Sequence, residues 1–156
     1  MVATLKVIPY FVSEAICHQF EQVLAGRTAF HFHPLRGRQV SLIQTMDHVL
    51  QDKVYAATET VTETRLHQLG CKLISRQRCA HNSVDVAAEI QAARTAGAEL
   101  ILLCGCSAIA DRQDILPMAI EDAGGQIDQL GLAVDPGNML LIGHCLLYTS
   151  DAADDI

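Results

Sequence analysis

Glu99-Leu-Ile-Leu-Leu-Cys-Gly-Cys-Ser-Ala-Ile-Ala-Asp-Arg-Gln-Asp-Ile-Leu-Pro-Met-Ala-Ile-Glu-Asp-Ala-Gly-Gly125 is the stretch whose reading decides the fold. The apolar run Leu100–Cys104 has the length of a buried strand and ends in small residues, Gly105 to Ala108. Asp111, Arg112 and Asp114 follow. Ile115, Leu116, Met118, Ala119, Ile120 and Ala123 then recur at helical spacing until Gly124-Gly125 stop the helix. Pro117 falls in the first turn, where a missing N–H costs nothing. The stretch therefore reads as strand, tight loop and helix. In an open α/β sheet such a loop lies at the carboxyl end of a strand, where ligands bind. Small residues let a ligand approach the backbone, and the helix N-terminus offers N–H groups to an anion.

Working outward, the same grammar repeats. Val40–Thr45 is an apolar run ending in polar residues, and Asp52-Lys53 open a helix from about Val54 to Leu69, with Val54, Val61, Leu66 and Leu69 as its apolar positions. Cys71–Ser75 reads as a strand. Asn82 or Ser83 caps a helix to about Ala96 that turns Val84, Val86, Ala87, Ile90 and Ala93 inward. Gln126–Val134 and Met139–Ile142 read as strands around the turn Asp135-Pro136-Gly137-Asn138. Strands and helices alternate from Val40 onward. The expected fold class is α/β, three layers, with a mainly parallel sheet covered on both faces. Upstream, Val2–Ile8 reads as a strand, Ser13-Glu14 open a helix to about Leu24 closed by Gly26, and Thr28–Leu35 alternates as an extended segment.

The 156 residues are half hydrophobic and 19% charged, enough for a sizeable core. The formal charge of -7 argues against a general nucleic-acid or membrane-surface binder. No apolar run is long enough to span a bilayer, and no leader pattern is visible at Met1–Val12. Six cysteines without framework spacing suit a reducing, cytoplasmic setting. The end, Cys145-Leu-Leu-Tyr-Thr-Ser-Asp-Ala-Ala-Asp154, looks like read-through of a sequencing adapter, so Cys145–Ile156 is set aside as a non-native tail. Without its three aspartates the formal charge is -4. The chain thus divides into a lead-in, residues 1–37, a ligand-binding domain, residues 38–144, and the tail, residues 145–156.

Three loops carry the candidate chemistry: the one after Thr45, with Asp47, Asp52 and Lys53; Gly105–Asp114; and Asp135–Asn138. The first two leave the carboxyl ends of strands and can share a crevice. Carboxylates across such a crevice suit Mg²⁺, which takes one or two carboxylates plus phosphate oxygens. Taken singly, Asp52 and Asp114 are also residues that a helix dipole favours at its N-terminus. Cys79-x-His81, Cys104-x-Cys106 and His31-x-His33 are each only a pair, short of a structural zinc spacing. Cys106 has a nucleophile's loop position but no base close in sequence. No P-loop or dinucleotide fingerprint is present.

The chain resembles the molybdopterin-binding domain shared by molybdopterin adenylyltransferases and molybdotransferases, over about Val40 to His144. Cys104-Gly-Cys-Ser-Ala108 stands for that family's TGGTG loop, and Gln113-Asp-Ile-Leu-Pro-Met-Ala119 for its RDxTPEA. Gly105, Asp114, Pro117 and Ala119 match; Asp52 falls at an acidic position, and Pro136-Gly137 at a proline-glycine turn. Cys106, Ser107, Ala108 and Met118 depart from the pattern. The resemblance implies a pterin dithiolene phosphate ligand, molybdopterin or its adenylylated form, with Mg²⁺. Gly105, Cys106, Ser107, Ala108, Asp111, Arg112, Pro136 and Gly137 would hold the ligand. Asp52 and Asp114 would carry catalysis and bind the metal, and Lys53 and Arg112 would offset charge. A homo-oligomer or a fused nucleotidyltransferase domain is the implied partner. The rival is a non-catalytic cofactor sensor or carrier module. A third reading is a flavodoxin-like domain for another phosphate ligand.

Overall fold

The computed structural model describes residues 11–26, 34–47, 51–133 and 137–145. It divides into two units, Met1–Pro34 and Leu35–Ile156. In the first, α1 (Glu14–Leu24) starts where Ser13 Oγ accepts the Ile16 N–H and is followed by Gly26 at φ +75°. The expected strand Val2–Ile8 and most of the extended segment Thr28–Leu35 lie outside the described residues.

The second unit runs β1 (Gln39–Met46), α2 (Asp52–Gln68), β2 (Lys72–Ala80), α3 (Ser83–Thr95), β3 (Leu100–Cys104), α4 (Ile115–Asp122), β4 (Gln126–Leu130) and β5 (Leu141–His144). The first three strands form a parallel sheet in the order β2-β1-β3. Central β1 is buried from Val40 through Thr45. Its side chains alternate between the two faces. Gln44 reaches α2, donating to the Tyr55 carbonyl and the Glu59 carboxylate. Ile43, on the opposite face, packs in one cluster with Val86, Ile90 and Ala93 of α3 and Leu116, Ala119 and Ile120 of α4. Helices therefore cover β1 from both sides, as the α/β pattern predicts.

Four expectations need correction. First, β2 continues past Ser75 to Ala80, because Arg76 and Arg78 find Glu63 and Glu59 of α2 and their charge is matched on the sheet face. Second, α2 buries Tyr55 and Leu66, while Val54, Val61 and Leu69 stay exposed. It covers a partly polar strand face and needs no apolar stripe. Its Thr58, Thr60 and Thr64 hydroxyls bond back to carbonyls four residues earlier. Third, Val84 of α3 is 73% exposed; Val86, Ile90 and Ala93 carry the inward face. Fourth, β4 and β5 form a separate antiparallel pair, because a short connection can join only antiparallel neighbours. The strands are also displaced from Gln126–Val134 and Met139–Ile142 to Gln126–Leu130 and Leu141–His144.

Glycine is required at Gly105, where a Cβ would meet the Ser107 carbonyl oxygen at 2.9 Å and Leu116 Cδ1 at 3.0 Å. No described residue other than glycine has positive φ. The loop from Cys106 to Ala108 thus closes without the backbone torsions that glycines would supply.

Candidate functional site at the carboxyl edge of the sheet

The connection after β1 leads to α2 on one face, and that after β3 leads to α4 on the other. β1 and β3 are hydrogen-bonded neighbours. Their carboxyl ends flank a topological switch point, the place where open α/β sheets hold ligands. The two loops are joined directly: the Cys106 N–H donates to Thr45 Oγ1 at 3.0 Å.

Thr45 is the centre of a chain of side chains. It is 1% exposed, and its Oγ1 lies 2.8 Å from His81 Nδ1. The other ring nitrogen, His81 Nε2, lies 3.0 Å from Ser107 Oγ. His81 follows the last residue of β2, so the carboxyl ends of all three parallel strands contribute: Thr45 from β1, His81 after β2, Ser107 after β3. Asp114 stands close enough to His81 for the imidazole to influence it. The Asp114 carboxyl is held below its ordinary range mainly by the Ala110 and Ile115 N–H groups it accepts, with a smaller contribution from His81.

On the α2 face a second polar group surrounds Arg78. Its guanidinium contacts Glu59 at 2.8 Å, approaches Asp52 at 3.7 Å and lies 5.4 Å from the Tyr55 ring centroid. The Tyr55 hydroxyl accepts the Asp47 N–H at 3.3 Å. This network ties the start of α2 to the carboxyl end of β2.

The residues singled out from sequence fall into distinct places. Gly105, Ser107 and Ala108 line an apolar groove of about 660 Å³ that runs along β3 toward Leu140 and Leu141. Cys106 is half-buried and contributes its amide to Thr45. Asp111 folds the loop by accepting the Gln113 N–H at 2.7 Å, and Arg112 is exposed. Asp114 caps α4, one carboxylate oxygen on Ile115 N–H and the other on Ala110 N–H. Asp52 opens α2 on the other face of the sheet, with a 95% exposed side chain. Gly137 adopts φ +117°, and Pro136 lies outside the described residues.

The cysteine pairs have other roles. Burial, reinforced by Glu89 and Asp85, pushes the Cys79 thiol up to about 11, and Cys79 belongs to the core cluster. Burial also raises Cys104. Both are protonated near neutrality and poor metal ligands. Among the described residues no group of three or more His, Cys, Asp or Glu converges to hold a metal. Mg²⁺ needs only one or two carboxylates when phosphate oxygens and water complete its shell.

Sequence reading gave Thr45 no role in the site and weighed His81 only as half of the Cys79-x-His81 pair. The available signal was Thr45 itself: with Gln44 it is a polar residue inside a run destined for the middle of the sheet, and buried polar groups need partners. Among the described residues no helix is long and apolar enough to cross a membrane. No protein-family model matches the chain, and no curated protein or solved structure matches it.

Proposed function

We propose that the protein binds a small phosphate-bearing heterocycle at this carboxyl edge, and that the ligand is molybdopterin or its adenylylated form. The observation that carries the reading is the loop Gly105–Ala108 at the β1/β3 switch point, with Ser107 opening onto the 660 Å³ groove. That volume lies within the usual range for small-molecule sites, roughly 300–1,000 Å³. A phosphate suits the hydroxyl and amides of the loop; a flat ring suits the aliphatic wall of Leu102, Leu103, Leu116 and Leu140. The motif residues shared with the molybdopterin-binding domain supply the identity of the ring. A phosphate-bound Mg²⁺ would supply charge neutralisation; Asp114, beside the loop, would be its protein ligand only by sharing oxygens that already accept backbone N–H groups, and Asp52 opens α2 on the other face of the sheet.

The non-catalytic reading, a sensor or carrier of the cofactor in the cytoplasm, alone or beside a nucleotidyltransferase domain, draws on one specific observation. Both oxygens of Asp114 already accept backbone N–H groups, so that carboxylate is committed to holding its loop. Adenylyl transfer or molybdate insertion would need it to act on a ligand as well. Calorimetric titration with molybdopterin and with its adenylylated form, with and without Mg²⁺, tests the proposal. Saturable binding of either form is expected. No heat with either, in protein shown by circular dichroism to be folded, would remove the pterin assignment. Turnover of ATP in the same samples would reinstate the enzyme.

A further inference from the structure

We infer that Thr45 and His81 are positioning residues that hold the Ser107 hydroxyl as a one-way hydrogen-bond donor to a phosphate oxygen. The inference rests on reading the crevice as a site for a phosphate-bearing ligand, and it adds a direction to the hydrogen bonds there. The direction follows from counting donors. Thr45 Oγ1 has one hydrogen and two lone pairs. The Cys106 N–H takes one lone pair. The threonine is 1% exposed and no further partner lies in reach of its hydroxyl among the described residues, so its hydrogen is satisfied only if it points at His81 Nδ1. A buried hydroxyl hydrogen left without an acceptor carries the full desolvation penalty.

With Nδ1 accepting, the neutral ring carries its hydrogen on Nε2 and donates it to Ser107 Oγ, 3.0 Å away. The serine hydrogen is then turned away from the histidine. Protonating the ring does not reverse this. Nδ1–H would donate to the second lone pair of Thr45 and leave the threonine hydrogen unpaired, so the count selects the neutral ring, while Nε2–H would still donate to Ser107. In both states the order is His81 to Ser107 to ligand, and successive donors in such a chain polarise one another in the same sense. A serine nucleophile would need the opposite tautomer, with a bare Nε2 to accept its proton. That tautomer strands the Thr45 hydroxyl hydrogen. The three residues resemble a Ser-His-acid triad in spacing and differ from it in direction, because the third member is a hydroxyl that can donate.

The test uses the full chain labelled with ¹⁵N. Long-range proton–nitrogen correlation at about pH 8 reads the His81 ring, whose signals are assigned by their loss in His81→Gln. The expected pattern is a protonated Nε2 with an accepting Nδ1. An imidazolium pattern, which leaves the Thr45 hydrogen without an acceptor, overturns the role given to Thr45, and a bare Nε2 overturns the inference. Inorganic phosphate is then titrated into wild type, Ser107→Ala, Thr45→Val and Thr45→Ser. Affinity is expected to fall roughly tenfold in Ser107→Ala, the scale of one lost hydrogen bond. Thr45→Val should mix the two tautomers and weaken phosphate severalfold, and Thr45→Ser should restore both readouts. No phosphate binding in wild type, or equal binding in Ser107→Ala, overturns the inference. The tautomer measurement needs no variant to bind, so misfolding of Thr45→Val leaves it decisive. Molybdopterin binding that is indifferent to Ser107→Ala would keep the pterin proposal and discard the relay. Phosphate binding through Ser107 without pterin binding would do the reverse.

Discussion

A single carboxylate, Asp114, shows how one residue can serve a loop before it serves a ligand. It accepts the Ile115 N–H at 2.7 Å and the Ala110 N–H at 3.0 Å, so it both caps α4 and closes the loop in front of it. Asparagine can replace only one of those acceptors with its carbonyl oxygen; its NH₂ would face the other amide. Asp114→Asn is therefore expected to cost about 1 kcal/mol at neutral pH, the usual scale for a lost cap. The pH dependence has a fixed sign. A carboxyl held below its unfolded value contributes stability above the unfolded pKa, near 4, and loses it as pH falls through the lower folded pKa. The gap between wild type and variant should close on acidification below about pH 4. Denaturant melts at pH 7 and pH 3 measure it; an equal gap at both would show that the ionised carboxylate is not the stabilising form. Asp114 was legible in the sequence as a helix N-terminal acid. Its second amide partner was not, because the return of Ala110 toward the cap is set by the fold of the loop.

Among the elements, capping separates helices that their sequences make look alike. At α3, Asn82 accepts the Asp85 N–H at 2.9 Å. At α2, Gln51 stands in the cap position and makes no side-chain cap bond. Asn82→Ala should therefore destabilise by about 1 kcal/mol, and Gln51→Asp should stabilise by roughly 0.5–1 kcal/mol through a new cap and the helix dipole. Thermal unfolding of the two variants checks both signs together; a neutral Asn82→Ala would mean that α3 is held by packing alone. The helices, β1 and β3 were legible because Gly, Asn, Asp and apolar spacing mark them locally. The extent of β2 was not. Arg76-Gln-Arg78 reads as a loop until Glu59 and Glu63 of α2 are known to lie opposite, and that pairing links positions far apart in sequence. Ending β2 early also hid the place of His81, which the sequence offered only as half of the Cys79-x-His81 pair and which a strand of full length brings to the carboxyl edge of the sheet. The same logic governs β3. It reads as a buried strand from composition, but among the described residues it pairs with β1 alone and lies along a groove, so its side chains are only partly covered.

Over the whole molecule, the division into Met1–Pro34 and Leu35–Ile156 carries a prediction about where cooperativity resides. Among the described residues every member of the core cluster, from Ile43 through Ala123, belongs to the second unit, as do the partly buried side chains packed against it. The parallel sheet is closed on that unit too, with Glu99 joining the starts of β1 and β3: its carboxylate accepts from Arg38 and from the Gln39 N–H, while its own N–H donates to the Gln39 carbonyl. A unit of this length can bury enough surface to fold alone. Residues 35–156 expressed without the first 34 are therefore expected to unfold in a single transition, with a urea midpoint close to that of the full chain. The denaturant slope tracks the surface exposed on unfolding and should fall only slightly, because among the described residues the cluster is built from the second unit. Inorganic phosphate should bind the shortened chain as it binds the full one, since Thr45, His81 and Ser107 all lie within it. A midpoint lowered by more than about 1 M urea, or loss of the cooperative transition, would place part of the folding energy in the first unit and contradict the division.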